Sequence, residues 1–206
     1  MSQKCNTSNL YDSLRFCDGT TVMPGIRRKA YVIPKDDIVK YPELPKLSDE
    51  GVKMGELATY KGDFVLAADK TFKVIDLDDS ASNVTSESQG EKPSKSFLNK
   101  ATFKHPGKGE EATGFARLAN SSNLLLIYQE RDGAMRVLGN KMYSTNIKPS
   151  QESGAKETDA SGTTFNVEVT DLTPAPFYKG IIKPMRVISM LLPVNSLKAI
   201  KYCFCL

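Results

Sequence analysis

Hydrophobic and polar positions follow several different periods along the chain, and the clearest change of period falls within residues 109–139. Ala112, Phe115, Ala116 and Ala119 recur at i, i+3, i+4 and i+7, which is one face of a 3.6-residue period. Glu110 and Glu111 stand in the first turn, where the helix dipole favours negative charge, and Asn120 suits a C-terminal stop. The spacing predicts a short helix over 109–120. Leu124, Leu125, Leu126, Ile127 and Tyr128 then run without a polar interruption. A run so short and so apolar predicts a strand covered on both faces. Arg131-Asp132-Gly133 supplies a tight turn, because Asp-Gly tolerates positive φ, and residues 135–138 form the returning strand. No nucleophile, base or metal ligand stands out in this unit, which reads as scaffold.

Before it, residues 1–29 read as irregular, with turn signals at Asp18-Gly19 and Pro24-Gly25. Residues 30–33 predict a strand closed by Pro34, while Pro42 and Pro45 keep the following segment irregular. Residues 62–67 and 71–77 flank Ala68-Asp69-Lys70 and suggest an antiparallel pair. Residues 78–96 are polar enough for a disordered composition, and two readings stay open: a flexible loop, or a projecting hairpin. The second arm of such a hairpin, 96–104, carries Leu98 and the alternating Ala101 and Phe103. A ribbon polar on both faces would order only against a partner chain. After the opening unit, 140–162 reads as a loop, and 163–170 alternates Phe165, Val167 and Val169 against Thr164, Asn166, Glu168 and Thr170 as a half-buried strand. Two prolines hold 173–178 extended or turning, and the tail 181–206 is weakly β-like around Pro184 and Pro193.

Length and charge narrow the picture further. A chain of 206 residues accommodates one sizeable core, so a single domain over 1–206 is expected, with irregular segments 1–29 and 181–206 at its ends. Its 28 basic and 24 acidic residues leave a net charge of +4, too mild to require a nucleic-acid partner. The N-terminus lacks the apolar core of a signal peptide, and no apolar run reaches 18 residues, so synthesis in a cytoplasm without a membrane span is expected. Cys5, Cys17, Cys203 and Cys205 fit no zinc spacing; free thiols and a Cys5 to Cys17 bridge formed after release are the competing readings.

Candidate chemistry is sparse. The sequence has no Gly-rich phosphate loop, no nucleophile elbow and no His-Glu-x-x-His pair. The lone His105, beside Pro106-Gly107, reads as structural or solvated, as do the acid pairs Asp36-Asp37 and Asp78-Asp79 and the basic cluster Arg27, Arg28 and Lys29. The absence of Trp weakens a glycan-platform or single-strand stacking role. No enzyme activity, cofactor or metal is expected.

Several stretches together carry a resemblance: Gly25-Ile26 with residues 30–38 (AYVIPKDDI), 96–103 (SFLNKATF), 114–119 (GFARLA), 126–133 (LIYQERDG), 136–140 (RVLGN), 160–165 (ASGTTF) and 174–178 (PAPFY). In this order the chain resembles the tail-tube proteins of long-tailed bacteriophages, particularly those of phages and prophages of gut Bacteroidetes. The resemblance spans residues 17–180 and implies a mainly β fold, a β-sandwich or barrel-like tail-tube domain with one flanking helix and long hairpin or loop arms. It further implies six copies closing into a ring, rings stacking into a conduit for double-stranded DNA, contacts with other tail proteins, and a place in the virion tail after assembly in the host bacterial cytoplasm. A closing ring needs a patch that fits a different patch on its neighbour. The polar arms 80–104 and 140–162 are free to supply it, which makes Ser86, Glu87, Ser88, Gln89, Glu91, Lys92, Ser94 and Lys95 candidate self-assembly residues, with Lys148, Glu152 and Lys156 on the second arm. The alternative is a soluble β-sandwich binding module for a glycan or protein ligand, using the same loops.

Overall fold

The computed structural model describes residues 11–154 and 161–182. The expectations for Cys5, Cys203, Cys205, Lys156 and the tail beyond residue 182 lie outside the described residues. In chain order the strands are β1 (Ile26–Pro34), β2 (Ile38–Lys40), β3 (Thr59–Tyr60), β4 (Val65–Leu66), β5 (Lys73–Asp76), β6 (Asn83–Gln89) and β7 (Ser96–His105). The helix α1 (Glu110–Ala119) follows, then β8 (Leu124–Glu130), β9 (Met135–Leu138), β10 (Asn146–Glu152), β11 (Gly162–Asp171) and β12 (Phe177–Tyr178). Among the described residues, 42% are in strands and 11% in helices, so the fold is mainly β, as expected, and no barrel closes among them. The barrel-like alternative is thereby corrected.

Three sheets are present among the described residues: a six-stranded one in the order β3-β12-β9-β8-β1-β5, a four-stranded one in the order β10-β11-β7-β6, and the pair β2-β4. Strand β8 explains its own sequence. Leu124, Leu126 and Tyr128 join a core shared with Ala101, Phe103, Phe165, Val167 and Val169 of the four-stranded sheet. Leu125 and Ile127 face the other way, into a second core with Ile33, Phe64, Phe72, Val137 and Tyr178. The excursion between β1 and β5 supplies that second cover, with Phe64 edge-on to Tyr41, Tyr60 and Phe72 at 5.8, 6.2 and 6.2 Å between ring centroids. Both faces of β8 are therefore dry. Each such aliphatic side chain contributes about 1.5–3 kcal/mol on burial.

Helix α1 packs against β10 and β11 with the face expected from its spacing: Ala112, Phe115 and Ala116 are half-buried and Ala119 is buried. Phe115 meets Phe165 edge-on at 5.4 Å. The β8–β9 turn also forms as its sequence requires, with Gly133 at φ +100° and Asp132 Oδ1 accepting the Ala134 N–H at 2.8 Å.

Three expectations need correction. Residues 62–67 and 71–77 do not pair with each other: β4 pairs with β2, whereas β5 lies beside β1 at the sheet edge. Asp69 at φ +60° turns the chain between them, so their adjacency in sequence leads to different neighbours. Within 140–162, residues 146–152 form a strand where a loop is expected; only Ile147 is buried there, and one inward residue is too weak a period-two signal to read. Finally, of the two readings of 78–96 the hairpin holds, but it does not project. Strand β7 sits between β6 and β11, with Asn99, Ala101 and Phe103 buried, so this arm is ordered by its own chain rather than by a partner.

Candidate assembly surfaces and an apolar cleft

The four-stranded sheet ends in two edge strands, β6 and β10, each seven residues long. Ser86, Glu87, Ser88 and Gln89 lie on β6. The Ser86 hydroxyl donates to Asn99 Oδ1 at 2.6 Å, Glu87 pairs with Lys100 at 3.0 Å, and the Gln89 amide donates to Ser96 Oγ and Thr170 Oγ1 at 3.2 and 3.1 Å. Glu91, Lys92, Ser94 and Lys95 form the exposed tip, where the Ser94 N–H donates to the Glu91 carbonyl at 2.7 Å. Gly90 belongs there for steric reasons: its φ is +80°, and a Cβ would lie 2.7 Å from the Ser94 carbonyl oxygen. Eight of the predicted residues thus come together at one edge. Lys148 and Glu152 lie on the opposite edge of the same sheet, Lys148 within 3.6 Å of Glu168. Lys156 lies outside the described residues.

Registers across the sheet align Lys148, Asn166, Thr102 and Asn83 in one row, and Asn146, Glu168, Lys100 and Thr85 in the next. These rows belong to the face opposite Phe103, Phe165 and Val167. By the same alternation that face carries Lys100, Lys104 and Lys148 against Glu87, Glu152 and Glu168, so its charges cancel. Exposed ion pairs of this kind contribute little stability, and the face is defined by its polarity rather than by its salt bridges. Among the described residues no strand pairs with the outer edges of β6 and β10, so their backbone N–H and C=O groups face outward there, although Pro149 removes one donor from β10.

The remaining candidates are structural. His105 Nδ1–H donates to the Asp76 carbonyl at 2.7 Å. Asp37 pairs with Lys70 at 3.1 Å, Asp79 with Arg28 and Arg131 at 3.3 Å, and Asp78 accepts the Ser80 N–H and hydroxyl at 3.0 and 2.6 Å. Arg27 reaches Gln129 Oε1 and the Arg131 carbonyl at 3.4 Å. Among the described residues no three His, Cys, Asp or Glu side chains come together as a metal site. No helix among them is long and apolar enough to cross a membrane.

Two features escape a reading of the sequence alone. The first is the segment before β1, where Tyr11, Leu14, Phe16, Val22 and Met23 are all exposed. The second is a cleft of about 810 Å³ walled by residues 41–48, Leu57, Tyr60, residues 140–143 and residues 171–173. Leu47, Met142 and Leu172 on its walls are more than half exposed. Asn140 builds one wall: its amide donates to the Thr170 carbonyl at 2.8 Å, and its Oδ1 accepts the N–H groups of Met142 and Tyr143 at 3.0 and 2.8 Å. Lys35 anchors the same loop, donating through Nζ to the Tyr143 carbonyl at 2.7 Å. Burial lowers its pKa to about 8, against the opposing pull of Asp171. Asp171 is 3% exposed; its Oδ1 accepts the Leu172 N–H at 2.7 Å, while Oδ2 has no hydrogen-bond partner among the described residues. Burial pushes its carboxyl above the usual range. Four separate stretches build this cleft, and only the exposed Leu47 beside Pro42 and Pro45 hints at it in sequence. Comparison of the chain with protein-family models, curated proteins and solved structures finds no match.

Proposed function

We propose that the chain is a non-enzymatic structural subunit of a phage tail tube, assembling with itself into hexameric rings that stack into a conduit for double-stranded DNA. The observation that carries this reading is the open four-stranded sheet, whose free edges β6 and β10 are equal in length and lie on opposite sides. Edges that differ from each other make a heterologous contact, the kind that closes into a ring when copies are related by rotation. The β6 edge of one copy meets the β10 edge of the next, and the Glu91 to Lys95 tip reaches across the seam.

Two further features support the reading. The balanced polar face of that sheet suits a lumen, since a densely basic wall would hold the phosphates of passing DNA. The exposed apolar side chains from Tyr11 to Met23 would be covered by a neighbouring copy. The resemblance to tail-tube proteins gives this assembly its biological setting, a virion tail built in the host bacterial cytoplasm together with other tail proteins. Size-exclusion chromatography with light scattering tests the reading. Hexamers or larger species, reduced by charge reversal at Glu87 and Lys148, are expected; a monomer at every concentration contradicts it.

A soluble binding module for a glycan or protein is the competing reading, favoured by the apolar cleft. A ligand-dependent rise in melting temperature without oligomerisation would support it.

A further inference from the structure

The segment 11–25 leaves the domain at one end of β1, and the apolar cleft lies at the other. Ile26 stands in register with Glu130, and the Gly25 carbonyl accepts the Arg131 N–H at 3.2 Å, so the segment departs beside the β8–β9 turn. At the far end of β1, Pro34 pairs with Leu124. The next residue, Lys35, holds the 140–143 wall of the cleft through the Tyr143 carbonyl, and Asn123 Oδ1 accepts the Thr145 N–H at 3.0 Å on the same side. The nine residues of β1 therefore separate the two features by roughly 27 Å, at about 3.3 Å per residue.

Nothing in its own domain covers the segment. Tyr11, Leu14, Phe16, Val22 and Met23 are exposed, Leu14 at 94%. Among the described residues the hydrogen bonds of 11–24 stay within it, from the Ser13 N–H to Asp12 Oδ1 and from the Thr20 N–H to the Cys17 carbonyl. The cleft offers the complement, with apolar walls at Leu47, Met142 and Leu172. Charge matches as well. Asp12, Arg15 and Asp18 recur at every third residue of the segment, while Lys46, Lys141 and Glu43 line the cleft. None of these six forms an ion pair among the described residues. Asp171, also on the lining, keeps a buried carboxylate oxygen without a partner among them. A buried acceptor of this kind costs free energy until a donor reaches it.

We propose that residues 11–18 of one copy dock in the cleft of a second copy, a contact that rests on the self-assembly reading above and adds to it the link between successive rings. A segment leaving one end of β1 and a receptor at the other fit head to tail: each copy gives its segment to the next and receives one from the copy before, which is a heterologous contact. The edges β6 and β10 close a ring sideways, whereas this contact joins copies end to end. Docking covers Leu14 and Phe16 between the apolar walls, sets Arg15 against the acidic lining, and sets Asp12 and Asp18 against Lys46 and Lys141.

Cys17, exposed and free, supplies a direct test. In the full chain with Cys5, Cys203 and Cys205 replaced by serine, a second thiol is introduced on the cleft lining as Ser48→Cys, or on an exposed position of α1 as Leu118→Cys for comparison. Docking raises the local thiol concentration, so mild oxidation of the cleft variant should give a ladder of disulfide-linked dimers, trimers and longer chains, at least about tenfold above the α1 variant. A linked product of monomer mass overturns the proposal, because the segment would then occupy its own cleft. So does a yield equal to that of the α1 variant while light scattering still shows oligomers, a result that leaves ring closure through β6 and β10 standing. Monomers by light scattering at every concentration overturn both. A second variant needs no thiol: Leu14→Asp combined with Phe16→Asp, at exposed positions, should keep the parent's melting temperature and give rings without tubes in negative stain. Tubes as long as the parent's would overturn the proposal.

Discussion

Leu126 stands in register with Val32 of β1 on one side and Leu138 of β9 on the other, and it is 2% exposed. A carboxylate at this position would have no partner in the shared core. Leu126→Asp is therefore expected to unfold the chain, with a cost above about 4 kcal/mol, seen as loss of the cooperative melt by circular dichroism. Lys35 acts on stability through pH. Its folded-state pKa of about 8 lies below the ordinary 10.5, so between these values the unfolded chain holds more protons, and stability should rise as pH increases from about 8. Tyr60 and Tyr128 oppose this at higher pH: burial raises both phenols, so stability falls as pH passes their ordinary 10.0. The Lys35 effect is thus cleanest between pH 8 and 10. Urea titrations across that window should show the rise in the unsubstituted protein and a flatter profile in Lys35→Met.

The elements legible in the sequence are those whose signal is local. Helix 109–120, the apolar strand from Leu124, the Asp132-Gly133 turn, the return at 135–138 and the alternation of 163–170 each announce themselves within a few residues, and each forms. Strand β10 escapes because an edge strand covered mainly by α1 needs only one fully buried side chain, Ile147. The pairing of β4 and β5 is misread because a partner strand is a non-local choice. The cleft is illegible for a related reason, since its walls meet only after Asn140 has tied its loop to Thr170. For the candidate assembly residues, the sequence locates the polar stretches but cannot place them on opposite edges of one sheet. The tip tests their role at this scale. Residues 86–89 pair with 96–99 and must be kept, so replacing 90–95 by Asn-Gly should shorten the hairpin without unfolding it. The expected product has a melting temperature within a few degrees of the parent and assembles poorly by light scattering.

At the scale of the molecule, the two sheets play different parts. The six-stranded sheet is covered on both faces, by the four-stranded sheet and by the excursion between β1 and β5, so it serves as the rigid centre. The four-stranded sheet keeps one polar face and two edges exposed, and these are the surfaces a ring would use. Its neutral face also sets an expectation for DNA: binding by the assembled protein should be weak and should vary little with salt, because few phosphates are neutralised. The central claim is self-assembly, and negative-stain electron microscopy of the purified protein at increasing concentration tests it most directly. Rings and hollow tubes of uniform diameter are predicted; isolated particles of monomer size at every concentration would contradict the account.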